Sequence, residues 1–172
     1  MADEIRSAIR KYAVVHTGQF GNVYAFEIDG FGSMLLMDDA NVPSLLSLPY
    51  LCPDLVSAGD SVYQNTRRMI WSDSNPYFFG AGVQGLKSGV RGIGSQHTGL
   101  NKVWPMSIIM KGLTSASRDE QRQCIQYLME TDGGTCFMHE SFDPVDPRNY
   151  TRSWFSWANG LFGELVIKAY GD

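Results

Sequence analysis

Two short polar runs hold side chains that could do chemistry. His139-Glu140-Ser141 sets an imidazole, a carboxyl and a hydroxyl side by side, and Asp38-Asp39-Ala40-Asn41 gathers two carboxyls and an amide. A zinc-protease reading of the first run fails, because it needs a second His four residues on and position 143 is Asp. A Ser-His-acid triad needs side chains that converge from separate elements, and His139 and Ser141 are too close in sequence for that. What remains is a lone carboxylate, Glu140, ahead of Pro144 and Pro147. It reads either as a surface or helix-capping Glu or as a group that moves a proton. The second run precedes Pro43 and also reads two ways. Asp and Asn supply acceptors to the orphan N–H groups of a helix start. Alternatively they form a polar cluster for sugar hydroxyls, with one carboxylate belonging to an acid/base pair. A cap needs only one of these residues.

His97 lies in the glycine-rich run Gly92-Ile93-Gly94-Ser95-Gln96-His97-Thr98-Gly99, shortly before Trp104-Pro105. It is either an exposed loop residue or a hydrogen-bonding group for a ligand, with Trp104 as the apolar platform or as part of the core. Gly80-Ala81-Gly82-Val83-Gln84-Gly85 matches G-x-G-x-x-G literally. The dinucleotide reading also needs a helix after the glycines and an acid some twenty residues on. No Asp or Glu occurs between Gly80 and Arg118, and 86–94 is too glycine-rich for the helix, so a loop is the better reading. Cys52, Cys124 and Cys136 form no C-x-x-C pair and read as buried free thiols rather than zinc ligands.

The elements that position these groups follow from periodicity. Apolar residues at spacings of three and four predict six helical segments, over 2–12, 43–51, 60–71, 104–113, 118–131 and 151–169. In the first, Ile5, Ala8, Ile9 and Tyr12 share a face; in the fifth, Cys124, Ile125, Leu128 and Met129 point inward. In the last, Trp154, Trp157, Ala158, Leu161, Phe162 and Leu165 form an amphipathic stripe. Ser117-Arg118-Asp119-Glu120 reads as a capping box. Val14-Val15 and 23–28, around Gly18 and Gly21, read as a β-hairpin, and 72–103 as loop. The 172 residues are 44% hydrophobic and 19% charged, which excludes a disordered segment. Net charge is −4, without the basic face a nucleic-acid partner would require. The longest apolar stretch is broken by Pro43, Pro49 and Pro53, so no membrane-spanning or export segment is expected.

Several ordered stretches resemble the family 125 glycoside hydrolases, exo-acting α-1,6-mannosidases whose fungal relatives are named meiotically up-regulated proteins. The first stretch runs from Leu36-Met37-Asp38-Asp39-Ala40-Asn41 to Val42-Pro43-Ser44-Leu45-Leu46. Next come Tyr63-Gln64-Asn65-Thr66-Arg67-Arg68, Asn75-Pro76-Tyr77-Phe78-Phe79, and Trp104-Pro105 with Leu113-Thr114-Ser115. The last is Phe137-Met138-His139-Glu140-Ser141-Phe142, continuing to Thr151-Arg152, Trp154-Phe155, Trp157-Ala158-Asn159 and Leu161-Phe162. The resemblance covers essentially the whole chain.

It implies an all-α fold of the (α/α)6-barrel type and metal-independent, cofactor-free hydrolysis of a mannose-containing glycan with inversion. Inversion needs an acid for the leaving oxygen and a base for the water. Glu140 matches the family's general base. Asp38, Asp39, Asn41, His97 and Trp104 match positions expected to contact the sugar. The family's acid, an Asp, lies upstream of anything matched here. With six helices against a barrel's twelve, residues 1–172 read as the C-terminal part of a single catalytic domain, a half barrel with a small hairpin and long loops. The chain alone is then expected to be inactive. Departures from the family pattern are a longer 80–91 loop, Gln96 in place of a common Pro, and Cys136 in place of a usual Gly. Two other readings stand beside the enzyme: a non-catalytic carbohydrate-binding module, and a half that self-associates through exposed apolar surface. The sequence assigns no compartment.

Overall fold

In the computed structural model the described residues are 1–80, 89–99 and 101–171. Most of Gly80–Gly85 therefore lies outside them. Six α-helices form among the described residues: α1 (Ala2–Tyr12), α2 (Leu48–Leu51), α3 (Ser61–Ile70), α4 (Pro105–Leu113), α5 (Arg118–Glu130) and α6 (Ser156–Tyr170). Antiparallel two-stranded ladders connect them. These are β1 (Val14–Thr17) with β2 (Gly21–Tyr24), β3 (Glu27–Ile28) with β4 (Met34–Leu35), β5 (Phe78–Phe79) with β6 (Gly92–Ile93), and β7 (Ser141–Phe142) with β8 (Tyr150–Thr151).

The core centres on α4. Its sequence is apolar nearly all round, so it must be buried on every side, and Met106, Ile108, Ile109, Met110 and Leu113 all are. α5 lays Cys124, Ile125 and Leu128 against it, and α6 adds Ala158, Leu165 and Ala169. α4 and α6 pack closely because residue 112 is glycine: a Cβ there would sit 2.7 Å from Leu165 Cδ1. Truncating Leu165 to Ala would cost about 2–5 kcal/mol through the cavity it leaves. α3 joins this body through Arg67, which donates to Glu120 Oε2 at 2.7 Å, while Lys111 Nζ lies 2.9 Å from Glu120 Oε1. Burial alone would raise the Glu120 pKa. Hydrogen bonds from Arg67, Ser115 and Lys111 overcome it and bring it down to about 2.

Caps fall where the sequence places them. Asp60 accepts from Tyr63 N–H, and Ser117 Oγ accepts from Glu120 N–H. The reciprocal half of the capping box is missing, because the Glu120 carboxylate turns to Arg67 and Lys111 instead.

Several expectations are corrected. The helix expected over 43–51 shrinks to Leu48–Leu51, because Asp38 and a reciprocal Ser44–Ser47 pair bind the backbone of 44–47 into a turn. The last helix begins at Ser156 rather than near Thr151, which pairs in β8. Trp154 lies outside the helix and is exposed, and Trp157 is exposed as well. Met129 turns to solvent. α1 buries no residue, and only Ile9 packs against the core. Of the three thiols expected to be buried, only Cys124 is; Cys52 and Cys136 sit at a helix end and in a turn, exposed. Burial pushes the Cys124 thiol up to about 12. No described helix is long and apolar enough to cross a membrane.

Candidate active site

The loops at the N-terminal end of α4 bring the two polar runs into one connected structure. Val103 pairs with Phe142, so the residue before Trp104 is bonded to the strand that follows Glu140. On the other side, Trp104 N–H donates to Ile93 O, and Ala40 N–H donates to Gly94 O. The 36–47 loop, the 92–99 loop and the 138–155 hairpin are thus stitched to each other around the start of α4.

Within the first loop the two carboxylates have different work. Asp38 is fully buried. Its Oδ1 accepts from Leu45 N–H at 2.8 Å and its Oδ2 from Leu46 N–H at 3.0 Å. Burial pushes its pKa up to about 7, against those hydrogen bonds, which favour the charged form. Asn75, itself buried, clamps the same residue: its Oδ1 accepts from Asp38 N–H and its amide donates to the Asp38 and Ile70 carbonyls. Asp38 therefore shapes the loop and offers a ligand no surface. Asp39 is buried as well, but it links two loops. Its Oδ1 accepts from Asn41 N–H at 2.8 Å, and its Oδ2 accepts from Ser95 Oγ at 2.9 Å. Asn41 is partly exposed and accepts from Val42 N–H.

Ser95 also caps the 3-10 turn Gln96–Thr98 by accepting from His97 N–H, which fixes the backbone of His97 while its side chain stays exposed. Thr98, in the same turn, accepts from Trp104 Nε1 at 2.8 Å. Trp104 is buried and meets the edge of Phe155 with ring centroids 6.3 Å apart. It supports the site from beneath rather than opening its face as a platform.

Glu140 closes the series. Asn159 on α6 grips the residue two before it: Met138 N–H donates to Asn159 Oδ1, and Asn159 Nδ2 donates to Met138 O. Glu140 N–H donates to Thr151 O, and its Oε1 accepts from Arg152 Nε at 3.0 Å. The Glu140 side chain is 16% exposed, and among the described residues its Oε2 has no hydrogen-bond partner. His139 is buried, stacked on Tyr150 at 3.6 Å, with Nδ1 3.0 Å from Arg152 O. Ser141 Oγ pairs with Thr151 Oγ1 at 2.7 Å. Both neighbours of Glu140 are thus engaged in holding the hairpin.

The structure therefore joins Asp39, His97, Trp104 and Glu140 through an unbroken series of contacts: Asp39 to Ser95, the 96–98 turn to Trp104, Trp104 to Phe155, Phe155 to Arg152, and Arg152 to Glu140. Sequence reasoning missed Asn75, Ser95, Arg152 and Asn159. Arg152 was detectable in principle: once β7 pairs with β8, residues 140 and 152 are the next cross-strand positions, where opposite charges attract.

Residues 1–167 match the family described as metal-independent alpha-mannosidase (GH125), and the chain belongs to that family of glycoside hydrolases. It is similar to the meiotically up-regulated gene 157 protein of Schizosaccharomyces pombe, 48% identical over 167 residues, covering 96% of this chain and 31% of that protein. It is also similar in structure to a metal-independent alpha mannosidase of Streptococcus pneumoniae solved as a non-productive substrate complex with alpha-1,6-mannobiose. The TM-score is 0.88 at 44% identity, covering 97% of this chain and 37% of that one. The chain spans about a third of the length of both.

Proposed function

We propose that these residues supply the base side of an inverting exo-α-1,6-mannosidase site, with Glu140 as the general base. The observation that carries the reading is the state of that carboxylate. One oxygen is anchored by Arg152, while the other has no hydrogen-bond partner among the described residues and is left for a water. An inverting glycosidase places its base about 6.5–9.5 Å from its acid, with the attacking water between. Asp39, Asn41 and His97 form the sugar-facing wall in this proposal, Asp38 holds that wall in shape, and Trp104 backs it.

We take residues 1–172 to be the C-terminal part of one catalytic domain of (α/α)6-barrel type. The match to about a third of each longer relative supports this. No residue here matches the family's acid, so the 172-residue chain alone is expected to give no turnover of α-1,6-mannobiose. The test is proton NMR of the first-formed product in the longest natural chain that carries these residues. Release of β-mannose supports inversion; release of α-mannose contradicts it. Binding of mannose with no hydrolysis in that longer chain would favour a non-catalytic carbohydrate-binding module.

A further inference from the structure

We propose that Arg152 is the positioning residue of this site, holding Glu140 by one carboxylate oxygen, and that His139 is the latch that keeps Arg152 in place. The inference rests on the reading of Glu140 as the base.

Arg152 has a backbone φ of 51°, in the left-handed region that side chains other than glycine rarely adopt. Such a conformation persists only where the surroundings over-determine it. Here they do. The two preceding residues are paired in β8, and the Arg152 carbonyl meets His139 Nδ1 at 3.0 Å. A carbonyl only accepts, so Nδ1 bonds to it in the tautomer that carries the proton on Nδ1. The latch itself cannot drift. The His139 ring is buried, stacked on Tyr150 with an interplanar angle of 3°, and its Nε2 lies 3.0 Å from Asp132 O and 3.1 Å from Thr135 Oγ1. In that tautomer Nε2 can accept only from the Thr135 hydroxyl, and the buried ring thus lies between the 132–135 turn and the 150–152 strand.

The consequence is read at the side chain. Fixing residue 152 in this conformation sends its guanidinium back across the hairpin to Glu140 Oε1 at 3.0 Å and over the Phe155 ring, whose centroid is 5.9 Å away. Phe155 N–H in turn donates to Met138 O. The Arg152 side chain is mostly exposed, and an ion pair of that kind adds little to stability. Its geometric effect is larger: occupying Oε1 fixes the plane of the carboxylate and selects Oε2 as the atom that meets water. Partners of this type commonly set the efficiency of the group they hold.

The test uses Arg152→Met, Arg152→Lys, His139→Gln and Glu140→Gln in the longest natural chain carrying these residues, with α-1,6-mannobiose. Arg152→Met is expected to lower kcat by about tenfold to a hundredfold, with KM changed less than about threefold and Tm unmoved. Arg152→Lys keeps a cation at the position and is expected to recover part of that loss. His139→Gln should lower kcat in the same sense; if it fails to fold, the Arg152 pair decides. Unchanged kcat in Arg152→Met, while Glu140→Gln is inactive, overturns this proposal and leaves the base reading standing. A rise in KM alone also overturns it, because Arg152 would then be a sugar contact. Full activity of Glu140→Gln overturns the base reading and this proposal with it.

Discussion

Asp38 and Glu140 are both carboxylates in ordered polar motifs, yet the structure uses them in opposite ways. Asp38 is sealed inside the 36–47 loop, with both oxygens bonded to backbone N–H groups. Glu140 sits at the mouth of a hairpin with one oxygen anchored and the other without a partner among the described residues. In the proposed function the difference separates scaffold from chemistry. A fully buried carboxylate with both oxygens held by backbone N–H groups can shape a loop, but it presents no oxygen to a water. The same contrast holds for the two histidines of the motifs: His139 is buried and engaged, whereas His97 is exposed and, among the described residues, only its backbone is held.

Asp38→Ala leaves two buried N–H groups unsatisfied, and denaturant unfolding should show a loss of about 2–4 kcal/mol. A loss below about 0.5 kcal/mol would mean that the loop does not depend on it. The same residue gives a pH signature. Its folded pKa, raised to about 7 from 3.8, means that the folded state holds a proton the unfolded state has lost. Its contribution is fully present below about pH 3.8 and falls away as pH rises toward 7. Asp38→Asn should flatten that slope in thermal unfolding scans across the window.

Glu120 has the opposite sign. Its folded pKa lies near 2 against 4.5, so its contribution is present above pH 4.5 and lost as pH falls toward 2. Taken together, the two groups predict greatest stability near pH 4 to 5. Because Glu120 is partly solvated, Glu120→Gln is expected to cost about 1–3 kcal/mol, with little effect at the Glu140 hairpin. The smallest effect concerns the surface. Phe31 at the tip of the β3–β4 hairpin is 96% exposed, and Trp154 and Trp157 are also exposed. Light scattering on the 172-residue chain should show association that weakens in Phe31→Ser; a monomer at all concentrations would contradict it.

Much of the helical framework was legible in the sequence because it depends on local order. The apolar spacing of α3, α4 and α5 and the caps at Asp60 and Ser117 are read within a few residues. The failures are non-local. Thr151 looks like a helix start until Ser141 pairs with it ten residues away, and Pro43 looks like one until Asp38 binds Leu45 and Leu46. The position of Glu140 was visible in its motif. Its engaged oxygen was not, since Arg152 reaches it only through a hairpin that two-residue strands barely announce. Asp38 and Asp39 look alike in sequence and both are buried; only their partners tell them apart, Leu45 and Leu46 N–H for Asp38, and Asn41 N–H with Ser95 Oγ for Asp39.

The most direct test of the division between these carboxylates is the turnover of α-1,6-mannobiose by Glu140→Gln in the longest natural chain that contains these residues, with Tm measured on the same sample. With Glu140 as the base, kcat falls by about a hundredfold or more at unchanged Tm. Near-normal kcat, or a loss of activity that merely follows a loss of fold, would contradict it.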